Sequence, residues 1–330
     1  MPEAAARGEP GDDLLARSVE ALAVLLDAGI SPVSVWVYLA EDAEHPALRR
    51  AARRVADGVL PSEALADASR WHRAERATAR SKRGRTVTRR HAELDHGMAT
   101  VAASWAVAEH AGAALAPALR GVATALRDRA ETARDVRTSL AGPRATARLM
   151  AWLPLVGVVM AYVIGVDVVG VLAGGPLGWG AAAGGVSLMA AGRAWTARLV
   201  REASRAGPVA GAEPELMAIA LAGGMSPGRA RQLVATTKER IGLRAAEDGG
   251  SSVDRVLRIA ERAGAPAIEL LSAEALQERR IARAKGRTGA ELLGVRLLLP
   301  LGICVLPAFV LLGVVPVILA MMSSTFTGLV

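Results

Sequence analysis

Apolar residues in this chain fall into long uncharged blocks and into short helical stripes, and the two patterns alternate along its length. Two tracts, residues 149–192 and 297–330, contain no lysine or arginine, and Asp167 is their only formal charge. A spanning helix needs about 20 mostly apolar residues to cross about 30 Å of hydrocarbon. Residues 149–166 supply one such segment and residues 168–192 a second, so the first tract predicts a hairpin turning between Gly165 and Gly178. As a single helix it would overshoot a bilayer about twofold. A third span is expected from Leu297 to around Met321.

The stripes lie outside these tracts. Leu15, Val19, Leu22 and Leu26 recur at helical spacing, and Gly29 is placed to end that helix. Ser31 can cap the next one, with Pro32 at its first position. A third helix over 46–56 is stopped by Gly58, and Pro61-Ser62-Glu63 opens a fourth. Strand-like alternation is absent. The pattern predicts an all-α, polytopic membrane protein with three transmembrane helices and two helical-bundle domains.

Charge orients it. Arg127, Arg129, Arg134, Arg137, Arg144 and Arg148 precede the first span, and Arg193, Arg198, Arg201 and Arg205 follow the second. Arg279, Arg280, Arg283, Lys285, Arg287 and Arg296 precede the third, while the hairpin turn and the C-terminal tail carry no basic residue. The positive-inside rule then puts 14–148 and 193–296 in the cytoplasm and the tail 323–330 outside, which requires an odd number of spans. Segments 1–13 (expected to be disordered), 149–192 and 297–322 complete the expected organisation. The N-terminus is polar and acidic and shows no pattern of a cleavable signal peptide. Pro154, Pro300, Pro307 and Pro316 lie inside expected spans, where packing against neighbouring helices tolerates them as kinks. Gly180 and Gly184 form a small-xxx-small spacing suited to close helix packing.

The net charge of +8 fits a basic cytoplasmic face against an anionic leaflet better than nucleic acid. It concentrates between Arg70 and Arg90, where Arg70, Arg73, Arg76, Arg80, Lys82, Arg83, Arg85, Arg89 and Arg90 face a single acid, Glu75. That segment suits acidic partner helices or anionic lipid, and with Trp71 its only aromatic it lacks a stacking platform for nucleic acid. A solvated insertion is the plain alternative.

Catalytic patterns are not found. No G-x-x-x-x-G-K-[ST] loop is present to grip nucleotide phosphates, so any ATP energy has to come from another chain. His91 and His96 are five residues apart, which turns them off a common helix face, and no H-E-x-x-H occurs. Cys304 is the only cysteine, so an intramolecular disulfide is excluded. Asp167 reads as a hydrated turn residue. No cofactor, metal or enzymatic activity is expected.

The second soluble segment echoes the first. Ala28-Gly29-Ile30-Ser31-Pro32 is matched by Gly223-Gly224-Met225-Ser226-Pro227, and residues 108–113 by 260–265. Each copy continues through an Arg-rich helix into a span bearing Leu-Pro-Leu, at 153–155 and 299–301. The shared order indicates a tandem duplication whose second copy has lost roughly a helical hairpin.

These landmarks resemble the type II secretion system F-domain family, and within it the Tad/Flp pilus proteins of the TadB/TadC kind. The carriers are the Ala-Gly-x-Ser-Pro opening, the turn from Gly58 to Leu65, the stretch 108–115, the run from Ala141 into Trp152-Leu153-Pro154, and the run from Gly294 through Pro300 to Phe309. The resemblance implies an inner-membrane platform subunit that contacts a cytoplasmic secretion ATPase and pilin or pseudopilin, with a paralogous subunit or a second copy as a further partner. Gly29, Ser31 and Pro32, together with the basic residues between Arg70 and Arg90, are the candidate partner surface. The alternative is a transporter or channel subunit, for which ionisable residues within the spans would be expected.

Overall fold

Left-handed glycines punctuate the chain, and they set its element boundaries. The computed structural model describes residues 11–42, 46–82, 88–139, 176–203, 208–243 and 249–316, with scattered positions at 141–170 and at 318; side chains at 72–95 are outside that description. Every described element is helical. The helices are α1 (Gly11–Asp27), α2 (Pro32–Asp42), α3 (Pro46–Ala56), α4 (Pro61–Lys82), α5 (Thr88–Ala111), α6 (Leu115–Ser139), α7 (Pro176–Ala203), α8 (Ala212–Ala222), α9 (Pro227–Ile241), α10 (Gly249–Ala263) and α11 (Ala267–Arg296).

The turn at Gly29 has φ +85°, a conformation that strains any residue with a Cβ. Its N–H bonds Leu26 O at 3.0 Å and the next N–H bonds Leu25 O at 3.2 Å, which closes α1 with a Schellman motif. Gly224 repeats this at φ +85°, bonding Leu221 O at 2.9 Å while Met225 N–H bonds Ala220 O at 3.4 Å. Gly112 and Gly264 match in the same way: Ala113 N–H bonds Ala108 O at 2.9 Å and Ala265 N–H bonds Ala260 O at 3.0 Å. The described residues place four helices between Gly29 and Gly112 and two between Gly224 and Gly264.

The chain divides into two compact units, residues 1–134 with 206–286, and residues 135–205 with 287–330. In the first, helices from both soluble segments share one continuous core. Its axis is α5, which is buried on every side from Gly97 to Ala108, a run without a charged residue. Such an all-round apolar helix has to be surrounded, and α1, α4, α8 and α9 surround it. Trp105 meets Trp36 of α2 with ring centroids 5.3 Å apart and planes tilted by 59°, an edge-to-face packing. Along the rim α1 and α6 run antiparallel, tied by Asp13–Arg134, Glu20–Arg127 and Asp27–Arg120.

In the second unit α7 packs on residues 298–314. A Cβ at Gly192 would stand 3.0 Å from that of Cys304, and one at Gly185 would collide with Leu312. Val136, Ala290, Leu293 and Leu297 form a small separate core. Leu297 N–H still bonds Leu293 O at 2.9 Å, so α11 runs on without a break through Leu297. The apolar stretch beyond it has two π-helical turns, Leu301–Val305 directly after Pro300 and Val310–Val314 shortly after Pro307. A proline removes one backbone donor, and a local shift to wider hydrogen bonding is a way to accommodate the loss.

Among the described residues one helix, Ala267–Val314, is long and apolar enough to cross a membrane. Helix α7 is uncharged up to Gly192 but rich in glycine and alanine. Most of the first expected span, residues 149–166, and Asp167 lie outside the described residues.

Candidate functional site

The partner surface expected from the sequence begins at the Gly29 turn. Ser31 caps α2 by accepting the Ser34 N–H on its Oγ at 3.2 Å, and Pro32 starts the helix with the φ it already prefers. This geometry turns Val35, Trp36 and Leu39 inward and leaves Val33, Val37 and Tyr38 exposed. The entry to α2 therefore carries an apolar strip facing water.

Of the basic run, only Arg70 has a described side chain, and it pairs with Asp67 one helical turn earlier. Arg73, Arg76, Arg80 and Lys82 continue α4, and Arg89 and Arg90 lie in the first turn of α5, but their side chains are outside the description, as are Arg83 and Arg85 altogether. The structure adds a second basic element that the sequence reading passed over. In α3, Ala47, Leu48, Ala51, Ala52 and Val55 are buried, which turns Arg49, Arg50, Arg53 and Arg54 outward. The signal was in the sequence: apolar and arginine pairs alternate through α3 with helical period.

These arginines and Trp71 line an open groove of about 390 Å3 that begins at Pro46. The Arg50 guanidinium lies 4.9 Å from the Trp71 ring centroid, a cation–π arrangement that orients its planar donors. Asp67 is shared by Arg54 and Arg70. Four guanidinium groups line the groove, a surface chemically suited to carboxylates or phosphates.

A second charged cluster is internal. Aligning the two halves on Gly29 with Gly224 and on Gly112 with Gly264 places Glu20 opposite Glu215 and Arg127 opposite Arg279. Both halves form that cross-helix ion pair, Glu20–Arg127 and Glu215–Arg279. The first is well exposed; in the second Arg279 is 8% exposed. Burial pulls the Arg279 guanidinium below its ordinary range, and Asp128 opposes that shift. Arg279 lies outside the apolar stretch that begins at Leu297. Arg283 extends the cluster to Asp128 at 2.5 Å, and the Glu215 carboxylate lies against Gly121. Paired charges sealed among helices hold register; they offer no open site for a substrate. Among the described residues no three His, Cys, Asp or Glu side chains converge as a metal site.

Of the expected helix-packing glycines, Gly180 has open space where a Cβ would stand, and a Cβ at Gly184 would touch Leu311 Cδ1 at 3.4 Å. The closer approaches, at Gly185 and Gly192, lie further along α7.

Comparison with known proteins bears on the first half of the chain. No curated protein and no solved structure gives a match. A family match covers α2 to α6 completely, most of α1 and part of the first expected span. Residues 19–163 match the family described as Type II secretion system (T2SS), protein F, and over that segment the chain is similar to it.

Proposed function

We propose that this protein is an inner-membrane platform subunit of a Tad/Flp-type pilus or type II-like secretion system, coupling a cytoplasmic secretion ATPase to assembly of pilin or pseudopilin. The observation that carries the reading is the F-family domain at 19–163. The absence of a phosphate-binding loop of its own supports it, since energy would then come from another chain. So does the groove of α3 arginines and Trp71, a rigid cationic surface beside the basic segment that starts at Arg70. In this reading the chain crosses the membrane three times, at 149–166, 168–192 and 297–322, with 14–148 and 193–296 cytoplasmic and 323–330 outside. The second soluble segment is then a shortened F-type repeat. Gly29, Ser31, Pro32 and the arginines of α3 and α4 meet the ATPase. The chain performs no chemistry itself.

The test is crosslinking of the tagged protein in its native membrane, followed by identification of what co-purifies. Recovery of a secretion ATPase that is lost on replacing Arg49, Arg50 and Arg53 with glutamate supports the reading. Repeated recovery of the intact protein with neither ATPase nor pilin overturns it. Cysteine labelling at Asp167 and at Ser323 from the outer side checks the topology, and exclusion of the reagent from either would overturn the three-span arrangement.

A further inference from the structure

Helix α8 opens the second half, yet it packs on the hairpin of the first half as well as on its own. It lies on α5, with Leu216 and Ile219 buried and Glu215 against Gly121 of α6. Its closest approach is at Gly121, which aligns with Ala273 of the second hairpin, and the two helices of the first hairpin bury small or short side chains. Ala103, Val107, Ala118 and Val122 are all at most 6% exposed.

The second hairpin, α10 and α11, carries the corresponding seat. Aligned on Gly112 and Gly264, those four positions become Arg255, Ile259, Leu270 and Glu274. Here they line an open groove of about 460 Å3 together with Val256 and Leu276, with Ile259 half exposed. Arg255 and Glu274 pair across it at 2.5 Å. No later helix of the described chain fills it as α8 fills the first.

The matching insert is also left open. Aligned on Gly29 and Gly224, Leu216 and Ile219 of α8 correspond to Ala21 and Val24 of α1. Ala21 is exposed and Val24 is 55% exposed, because α1 turns Leu15, Val19 and Leu22 toward its own α5. Among the described residues neither surface is covered. Their sizes are complementary in the reverse sense: α8, with Leu216 and Ile219 buried, packs on a hairpin of small residues, whereas the hairpin enlarged by Ile259 and Leu270 would take the smaller Ala21 and Val24.

We propose that a second copy of this chain inserts the Ala21–Val24 face of its α1 into the groove between α10 and α11, repeating between molecules the contact that α8 makes within one. The interface is heterologous, head to tail, so each molecule offers one insert and one seat. Repeat proteins associate through the same logic, the unit-to-unit contact continuing wherever an end is not capped. Copies held in one membrane are related by rotation about its normal, so the arrangement closes as a ring or runs as an arc in the plane.

The experiment uses full-length protein in lipid nanodiscs and native membranes, with Cys304→Ser as background. Two differently tagged chains, one bearing Val24→Cys and the other Ile259→Cys, are mixed and treated with a short bis-maleimide. The expected result is a crosslinked dimer in the mixture, none in either single variant alone, and species larger than dimer from the chain bearing both cysteines. Dimers from Val24→Cys alone or from Ile259→Cys alone indicate a two-fold contact and overturn the proposal; so does absence of any adduct in the mixture. Should either cysteine variant fail to fold, the exposed groove change Ile259→Arg is read by light scattering with helicity as control. A fall in particle mass to that of one chain supports the proposal, and an unchanged mass overturns it.

Discussion

Helices α5 and α10 occupy corresponding places in the two halves and have opposite surroundings. Helix α5 is uncharged from Gly97 to Ala108 and buried all round. Helix α10 buries Val253, Val256, Leu257 and Ala260 and turns Arg255, Arg258, Glu261 and Arg262 to water. One is the axis of a bundle and the other a wall. The difference follows from the neighbours each has among the described residues: α1, α4, α8 and α9 around α5, but α8 and the hairpin partner α11 beside α10. With fewer helices packed against it, α10 needs only one apolar face, and its sequence carries only one. Matching turns and ion pairs do not bring matching energetics; the helix with more neighbours forms the core.

The largest effect that separates the two is expected at Trp105. Trp105→Ala empties the centre of the bundle and should cost about 3–5 kcal/mol, measured by chemical denaturation with helicity as the signal. Ile259→Ala at the open face of α10 should cost less than about 1 kcal/mol, in line with substitutions at exposed sites. If the two cost the same, α5 is not the organising axis.

The duplicated ion pair sharpens the comparison. Arg279→Met strands Glu215 among packed helices and should destabilise by about 3–5 kcal/mol, whereas Arg127→Met removes an exposed pair worth at most about 1 kcal/mol. Thermal melts of both variants under one condition decide it. The close approach of α8 to α6 comes next. Gly121→Ala drives a methyl into the Glu215 carboxylate and should cost about 1–3 kcal/mol, while the reverse change Ala273→Gly in the open groove should cost about 1 kcal/mol through helix propensity alone. The smallest contrast is between Gly29 and Gly224. No heavy atom would touch a Cβ at either, so alanine should cost about 1–2 kcal/mol at both through the left-handed backbone. Unequal losses in denaturation would show that the two turns are not equivalent.

Much of this was legible in the sequence, because helix ends are written in local chemistry. Gly29, Ser31 and Pro32 announce a helix stop, a cap and a start, and each acts in that role. The echo of Gly29 in Gly224 and of Gly112 in Gly264 carried through to matching hydrogen bonds. What covers the apolar run from Met98 to Ala108 was not legible, since periodicity tells that a helix is surrounded and never by what. The pairing of Glu20 with Arg127 and of Glu215 with Arg279 was within reach once the glycines were aligned, but only the structure identifies which of many charges meet. The arginine face of α3 was overlooked beside the denser basic run after Arg70.

The burial of α5 by α8 and α9 also bears on the order in which the protein can be made. The residues that complete the bundle around Ala111 end near Ile241, beyond the whole first apolar tract. At a synthesis rate of about 5–20 residues per second, the ribosome takes on the order of ten seconds to deliver them. Through that interval the uncharged run from Gly97 to Ala108 has lost access to water on one side and not yet gained its partners on the other. An uncharged run of this kind, emerging just ahead of the uncharged tract 149–192, is itself a candidate for mistaken insertion. Its small side chains, alanine above all, keep it less hydrophobic than the apolar stretch after Leu297. The composition that lets four helices pack closely on α5 is therefore also what keeps α5 out of the lipid while it waits for them.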